Sequence, residues 1–135
     1  MKRKILLISD DRTSQKWIRQ ALPANEFELL TISTQQSLVF YLCLVQPDLI
    51  VVDTLQPNIH PGRLLRQIRE WSWVPVIVLS ALAEHQTKLE SLHYGADDFM
   101  VKPFNNQELL AKARALLRRV PVRMPSGQWI SEANF

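Results

Sequence analysis

The chain has 135 residues, which suits one compact domain, and 47% of them are hydrophobic, enough to bury a core. The formal net charge is +3, but no aromatic residues interleave with the basic run near the C-terminus, so a nucleic-acid stacking surface is not indicated. The only glycines, Gly62, Gly95 and Gly127, exclude the glycine-rich loops that cradle dinucleotides or nucleoside triphosphates.

Cysteine content and hydropathy set two further limits. A single cysteine, Cys43, excludes an internal disulfide and a CxxC metal site, and its place on an apolar helical face predicts a buried thiol. The first apolar run meets Asp10 too early for a signal-peptide core, and no run approaches the roughly 18 apolar residues of a membrane span. We therefore expect a cytoplasmic protein without membrane contact.

Short apolar runs alternate with helical patterns along the chain. The predicted strands are 5–9, 27–31, 49–52, 76–79 and 98–101. The predicted helices are 13–22, 35–45, 62–71, 83–93 and 105–119. Three of the runs are continuously apolar, as are strands of a parallel sheet that is covered on both faces. Five such repeats predict an α/β, doubly wound, five-stranded parallel sheet of the flavodoxin-like (βα)5 kind, with strand order 2-1-3-4-5.

The repeating pattern stops near Val120. The segment that follows carries two prolines and a glycine and is short. Residues 1–120 are therefore predicted as the domain, and 121–135 as a linker stub or C-terminal tail. An ordered extension that packs Trp129 on the domain is the alternative.

Polar residues follow the predicted strands where the strands end. Asp10 and Asp11 end the first strand, Asp53 ends the third, Ser80 ends the fourth and Lys102 follows the fifth. The carboxyl ends of parallel strands form the ligand-binding edge of an open sheet. Two carboxylates about 4 Å apart repel by about 4 kcal/mol at an effective dielectric near 20, so the cluster needs a compensating cation.

The cation that this set favours is Mg²⁺, which takes one or two carboxylates and completes its shell with water and phosphate oxygens. A carboxylate beside it can attack phosphorus and form an aspartyl phosphate, with Lys102 supplying charge and Ser80 a hydrogen bond. Taken singly, each residue has a simpler role, such as a helix cap, a turn residue or a surface lysine. Their convergence on one edge favours a shared site.

Four segments resemble the receiver domain of two-component response regulators, over about residues 2–119. They are IleLeuLeuIleSerAspAsp at 5–11, LeuIleValValAsp at 49–53 with a proline at 57, ValIleValLeuSerAla at 76–81, and GlyAlaAspAspPheMetValLysProPhe at 95–104. The resemblance implies a signalling domain that accepts a phosphoryl group from a sensor histidine kinase. It implies no enzyme activity beyond Mg²⁺-dependent transfer to its own aspartate and slow self-dephosphorylation. The surface of the fourth helix, fifth strand and fifth helix would then control an output, expected to be transcription.

The resemblance also implies roles for individual residues, with Asp53 as the phosphoacceptor. The implied metal ligands are Asp11 and Asp53 directly, Asp10 through water, and Leu55 by its backbone carbonyl. The residues implied to contact or sense the phosphoryl group are Ser80, Lys102 and the aromatic switch residue Phe99. The bond between Lys102 and Pro103 is expected to be cis.

The helix at 105–119 resembles that of regulators joined to a winged-helix DNA-binding domain. Members of that subfamily form a two-fold dimer through ion pairs on the fourth helix, fifth strand and fifth helix. The pairs carried over are Lys88 with Glu108 and Asp98 with Lys112. A homodimer is therefore a hypothesis, and contact with DNA requires an absent or separate effector domain.

Two departures and three alternatives accompany this interpretation. Pro61 stands where the family usually has glycine, and Phe99 lacks the hydroxyl of the commoner tyrosine. A phosphorylation-independent pseudo-receiver that acts as a protein-interaction module stays open. A phosphatase of the haloacid-dehalogenase type needs a second aspartate two residues after the nucleophile, where Leu55 stands. A nucleotide-binding domain of the universal-stress type lacks its glycine loop.

Overall fold

The computed structural model describes residues 2–54, 61–80, 94–101, 105–123 and 129–131. The strands are β1 (Arg3–Ile8), β2 (Phe27–Ile32), β3 (Leu49–Thr54), β4 (Val76–Ser80), β5 (Asp98–Val101), β6 (Pro121–Arg123) and β7 (Trp129–Ser131). The helices are α1 (Arg12–Ala21), α2 (Leu38–Val45), α3 (Pro61–Trp71) and α4 (Asn106–Leu117). Helix α4 is the predicted fifth helix, since the predicted helix at 83–93 lies outside the described residues.

Strands β1 to β5 form one parallel sheet in the order β2-β1-β3-β4-β5. This confirms the predicted α/β, flavodoxin-like architecture. Every residue of β3 and β4 is buried, which accounts for their continuously apolar sequences. The strand order reverses between β1 and β3, so the carboxyl ends of these two strands frame a crevice.

Successive side chains of the strands enter two separate cores, one on each face of the sheet. The core under α1 and α4 includes Ile5, Leu7, Leu49, Val51, Ile77, Leu79, Ile18 and Leu109. The core under α2 and α3 includes Leu6, Ile8, Ile50, Val52, Val78, Leu42, Leu65 and Phe99. In β1 and β3, odd-numbered residues therefore pack against α1 and α4, and even-numbered residues pack against α2 and α3.

The turn before β5 depends on Gly95, Arg69 and Asp97. Gly95 has φ +103°, and its carbonyl accepts hydrogen bonds from Arg69 Nη2 at 2.6 Å and Nε at 3.2 Å. Arg69 also pairs with Asp97 at 3.1 Å, and the same carboxylate accepts the amide of Val76 at 2.8 Å. Burial lowers the pKa of the Arg69 guanidinium, while Asp97 opposes that shift. These contacts join α3, β4 and the start of β5.

Arg3 is buried, although it stands between the exposed Lys2 and Lys4 near the N-terminus. Its guanidinium donates hydrogen bonds to the carbonyls of Leu117 at 3.0 Å, Val120 at 2.6 Å and Pro121 at 3.3 Å. The Asp48 carboxylate lies 3.6 Å away. Arg3 thus donates to carbonyl groups at the last residue of α4 and just beyond it, where the helical hydrogen bonding ends.

The described part of the segment at 121–135 is a short antiparallel ribbon. In it, Val122 of β6 pairs with Ile130 of β7. The division into a domain at 1–120 and a linker stub or tail at 121–135 stays a prediction.

Helix α2 exposes apolar side chains to solvent. Phe40 is 56% and Leu44 65% exposed, and Leu42 is the one residue of this helix that is buried. Cys43 is exposed, so the prediction of a buried thiol was wrong. It lies beside Trp71 and Trp73 in a surface groove of about 760 Å³. Among the described residues, none of the helices combines the length and apolarity needed to cross a bilayer.

Candidate functional site

Asp53 lies near the carboxyl end of β3, in the crevice beside β1. Asp53 is 2% exposed. Because side chains alternate along a strand, it lies on the same face of the sheet as Val51, toward α1 and α4. Pairing of Ile8 with Val52 brings Ser9, the residue just after β1, level with Asp53. The Ser9 hydroxyl donates a 2.6 Å hydrogen bond to Asp53 Oδ2, and Ser9 is fully buried. The predicted phosphoacceptor therefore contacts a serine at the end of β1.

Asp11 is the N-cap residue of α1. Its Oδ2 accepts hydrogen bonds from the Ser14 amide at 3.2 Å and the Ser14 hydroxyl at 2.7 Å. The cap has an extended backbone, with φ −110° and ψ 116°, as residues just before a helix commonly do. The Asp11 carboxylate therefore caps α1, and Asp11 stands two residues after Ser9 in the chain.

Asp10 connects the ends of β1 and β2. Its Oδ1 accepts the amide of Thr34 at 2.8 Å, and its Oδ2 accepts the Thr34 hydroxyl. Asp10 is half-buried. The loop after β2 therefore orients this carboxylate.

Among the described residues, no group of three or more His, Cys, Asp or Glu side chains has the spacing to hold a metal ion. The donor chemistry nevertheless fits Mg²⁺, because Asp10, Asp11 and Asp53 offer hard carboxylate oxygens at one sheet edge, and one or two suffice.

Ser80 ends β4 at the same edge. It is 2% exposed and pairs across the strands with Thr54, the residue after Asp53. The Thr54 hydroxyl donates to the Leu79 carbonyl at 2.7 Å. The sheet therefore brings Asp53, Ser9 and Ser80 to one edge, as the strand-end argument predicted for Asp53 and Ser80.

Comparison with known proteins identifies the family. The model of the response regulator receiver domain matches residues 5–114. The chain belongs to the response regulator receiver domain family. Receiver domains of response regulators are signalling domains, and the strand order β2-β1-β3-β4-β5 agrees with that assignment.

Named relatives and solved structures support the same family. The KDP operon transcriptional regulatory protein KdpE of Escherichia coli strain K12 is 36% identical over 115 residues, which cover 85% of this chain and 51% of the relative. The chain thus spans about half the length of the curated relatives it matches. The Francisella response regulator 1452 receiver domain has a TM-score of 0.76 at 29% identity, covering 87% of this chain and 98% of that one. The BeF3-activated receiver domain of Klebsiella pneumoniae RstA has a TM-score of 0.77 at 25% identity, covering 86% and 99%.

The predicted switch residue of this receiver domain, Phe99, is buried. It is 9% exposed, belongs to the core under α2 and α3, and pairs in register with Val78. Its amide donates to Asp98 Oδ1 at 2.8 Å. Phe99 therefore occupies an inward position on β5.

One ion pair predicted for a dimer face forms within a single receiver domain. Lys112 Nζ lies 2.8 Å from Asp98 Oδ2, which ties α4 to β5. Glu108 is exposed on the first turn of α4. Four predicted residues fall outside the described part of the chain; they are Leu55, Lys88, Lys102 and Pro103.

Sequence reasoning missed Ser9, Ser14 and Thr34 in the receiver site. It searched for charged groups, whereas the partners of the three aspartates are hydroxyl-bearing residues. One signal was present for Ser9. Alternation from Ile5 through Leu7 sets it on the same face as Asp53 once β1 is paired with β3.

Proposed function

We propose that this receiver domain is activated when Asp53 accepts a phosphoryl group from a sensor histidine kinase. The observation that carries the proposal is the position of Asp53, a buried carboxylate at the carboxyl end of β3 beside the strand-order reversal. This edge is where an open parallel sheet binds its ligands, and β3 holds the carboxylate there.

The transfer step follows from ordinary phosphorus chemistry. An oxygen of the Asp53 carboxylate attacks the phosphorus of a phosphohistidine, an O–P bond forms, and the P–N bond breaks with its electron pair leaving on the imidazole nitrogen. Phosphoryl transfer asks the protein mainly for positioning and positive charge. Ser80 and Lys102 are proposed to contact the phosphoryl oxygens, because Ser80 ends β4 at the same edge and Lys102 follows β5 in the chain.

The proposed metal ligands are Asp11 and Asp53, with Asp10 through water and the carbonyl of Leu55. Asp11 and Asp10 now accept hydrogen bonds from Ser14 and Thr34, so binding would share or replace these bonds. When bound, Mg²⁺ offsets the negative charge that gathers when a phosphoryl group meets these carboxylates.

The proposed output is a change of surface near β5 and α4. Phosphorylation draws Ser80 toward the new charge, and the Phe99 ring responds, so that the equilibrium between two surfaces shifts. Because KdpE is named a transcriptional regulatory protein, we infer transcription as the output, through an effector domain beyond residues 1–120. A homodimer and a cytoplasmic location belong to the same proposal.

The deciding experiment is phosphorylation by a small donor. Wild-type protein is incubated with acetyl phosphate and Mg²⁺ and analysed by intact mass, beside Asp53→Asn and the control Glu70→Gln, which alters an exposed acid on α3. We expect one phosphoryl adduct, labile in acid, on wild type and on Glu70→Gln, and none on Asp53→Asn. Beryllofluoride, with which the RstA receiver was activated, is expected to bind the same two proteins.

The opposite result has a definite meaning. If wild type gains no adduct across a range of donor concentrations, the pseudo-receiver alternative replaces this proposal.

A further inference from the structure

The Ser9 hydroxyl and the Asp53 carboxylate form a hydrogen bond that is closed off from solvent. Ser9 is fully buried, Asp53 is 2% exposed, and the oxygens lie 2.6 Å apart. A hydroxyl that donates to a carboxylate this closely makes one of the stronger hydrogen bonds in proteins. The proposed phosphoacceptor is therefore already engaged before any phosphoryl donor arrives.

The position of Ser9 is fixed by its own backbone. Its amide donates to the Ile32 carbonyl at 2.9 Å, and its carbonyl accepts the Gln15 side chain at 2.9 Å. The Asp11 amide donates to the Ser9 hydroxyl at 3.2 Å. The Ser9 hydroxyl has one proton to donate. Its oxygen lies 2.6 Å from Asp53 Oδ2 and 3.4 Å from the Asp11 carbonyl oxygen, so the proton is donated to Asp53.

We propose that Ser9 is a positioning residue that holds Asp53 Oδ2 and competes with a divalent cation for that oxygen. The inference rests on the proposed function, because it assumes that Asp53 ligates the cation. A cation that binds Oδ2 must share this oxygen with the Ser9 proton or displace it, and either lowers the affinity of the unphosphorylated domain. Ser9 also brings no negative charge to the edge, so it offers the cation less than a carboxylate would.

The test is a titration of the unphosphorylated protein with Mg²⁺ alone, followed by backbone amide shifts of ¹⁵N-labelled protein. Ser9→Ala removes the competing bond, and we expect Mg²⁺ to bind about three- to tenfold more tightly, the equivalent of one net hydrogen bond. Ser9→Thr retains the hydroxyl and is expected to keep the wild-type affinity. Ser9→Asp brings a second carboxylate to Asp53, whose repulsion the cation relieves, and is expected to bind most tightly.

The matched control is Thr54→Val, which removes another buried hydroxyl, one that donates to the Leu79 carbonyl. We expect its Mg²⁺ affinity to equal that of wild type. An unchanged or weakened affinity in Ser9→Ala, with the folded amide spectrum retained, would overturn the competition. Equal gains in Ser9→Ala and Thr54→Val would do so too, because a general loosening would then explain both.

This outcome is separable from that of the proposed function. If wild type is phosphorylated but Ser9→Ala binds Mg²⁺ no more tightly than wild type, the competition by Ser9 is refuted and the proposed function stands. Tighter binding in Ser9→Ala without any phosphoryl adduct on wild type supports the inference and removes the function.

Discussion

Among the glycines that the structure describes, Gly95 is the one whose backbone least tolerates a side chain. Its φ of +103° lies where L-residues are strained, and an added Cβ would come within 3.0 Å of Arg69 Nε. We predict that Gly95→Ala lowers the free energy of unfolding by about 1–3 kcal/mol. Urea denaturation measures the loss.

A double-mutant cycle with Arg69→Ala separates the two causes of that loss. If the contact with Arg69 contributes, the penalty of Gly95→Ala shrinks in the Arg69→Ala background; backbone strain alone leaves it constant. A Gly95→Ala protein as stable as wild type in both backgrounds would contradict the prediction.

At the scale of single residues, sequence reasoning located Asp53 because a carboxylate directly after a buried apolar run is conspicuous. It did not locate the role of Ser9, because a serine has many possible partners and only the pairing of β1 with β3 selects Asp53. It gave no sign that Arg3 is buried between the exposed Lys2 and Lys4. The carbonyls that Arg3 binds are more than a hundred residues away in the chain.

The start of α1 distinguishes two roles of Asp11. As the N-cap, it accepts from Ser14, so Asp11→Ala should lower the free energy of unfolding by about 1 kcal/mol, whereas Asp11→Asn should retain most of the cap. Both variants lose the charge, so both should weaken Mg²⁺ binding if Asp11 is a ligand. Thermal unfolding and Mg²⁺ titration together measure the two effects.

The matched control for this prediction is Asn105→Ala, which removes the cap of α4. Asn105 Oδ1 accepts the Glu108 amide at 2.7 Å. It should cost a similar free energy of unfolding and leave Mg²⁺ binding unchanged. Equal metal affinities in Asp11→Asn and wild type would reduce Asp11 to a structural cap.

Among the elements, α1 and α4 were predicted well because their apolar residues recur at helical spacing. Helix α2 was predicted as a helix, but the side of α2 that packs against the sheet was not predicted. Its eight residues, Leu38–Val45, are all apolar or aromatic, so no amphipathic pattern marks which side is covered. The error over Cys43 follows from this lack of contrast.

At α3, Pro61 is the first helical residue, a position that suits proline because no helical hydrogen bond is lost there.

Arg3 joins the first strand to the end of α4, and its removal should destabilise the whole molecule. We predict that Arg3→Met lowers the free energy of unfolding by about 2–3 kcal/mol, since a hydrogen-bonded charge and three carbonyl contacts are lost together. Lys4→Met is the control, because Lys4 is the next residue of β1 and is exposed. Similar urea midpoints for the two variants would show that Arg3 adds nothing beyond its neighbours.

The pair of Arg114 with Glu26 links α4 to the loop before β2, and it predicts a pH dependence. Both guanidinium–carboxylate contacts are 2.8 Å, and the hydrogen bond from Arg114 lowers the pKa of Glu26. A lowered pKa in the folded state adds stability above the unfolded pKa of about 4, and this is lost as the pH falls further. The contribution is small because the pair is largely exposed.

Glu26→Gln should therefore unfold at a slightly lower urea concentration than wild type at pH 7 and at the same concentration near pH 3. Glu28→Gln, an exposed residue of β2, serves as the control. A difference that persists in acid, or one insensitive to salt at pH 7, would contradict an ionic origin.

For the whole molecule, the strand order was predictable because alternating strands and helices with right-handed crossovers leave few topologies. The ribbon of β6 and β7 was not, because three-residue strands among prolines leave no periodic pattern. The orientation of the aspartates was not predictable either, since it depends on hydroxyls contributed by separate loops.

The lone thiol on α2 also makes the molecule easy to label. Because the sequence has a single cysteine and its side chain is exposed, one maleimide fluorophore attaches at one defined place without any engineering. The indole of Trp71 borders the same groove and can quench a dye held there. The native chain thus accepts a site-specific optical reporter at the groove between α2 and the end of α3.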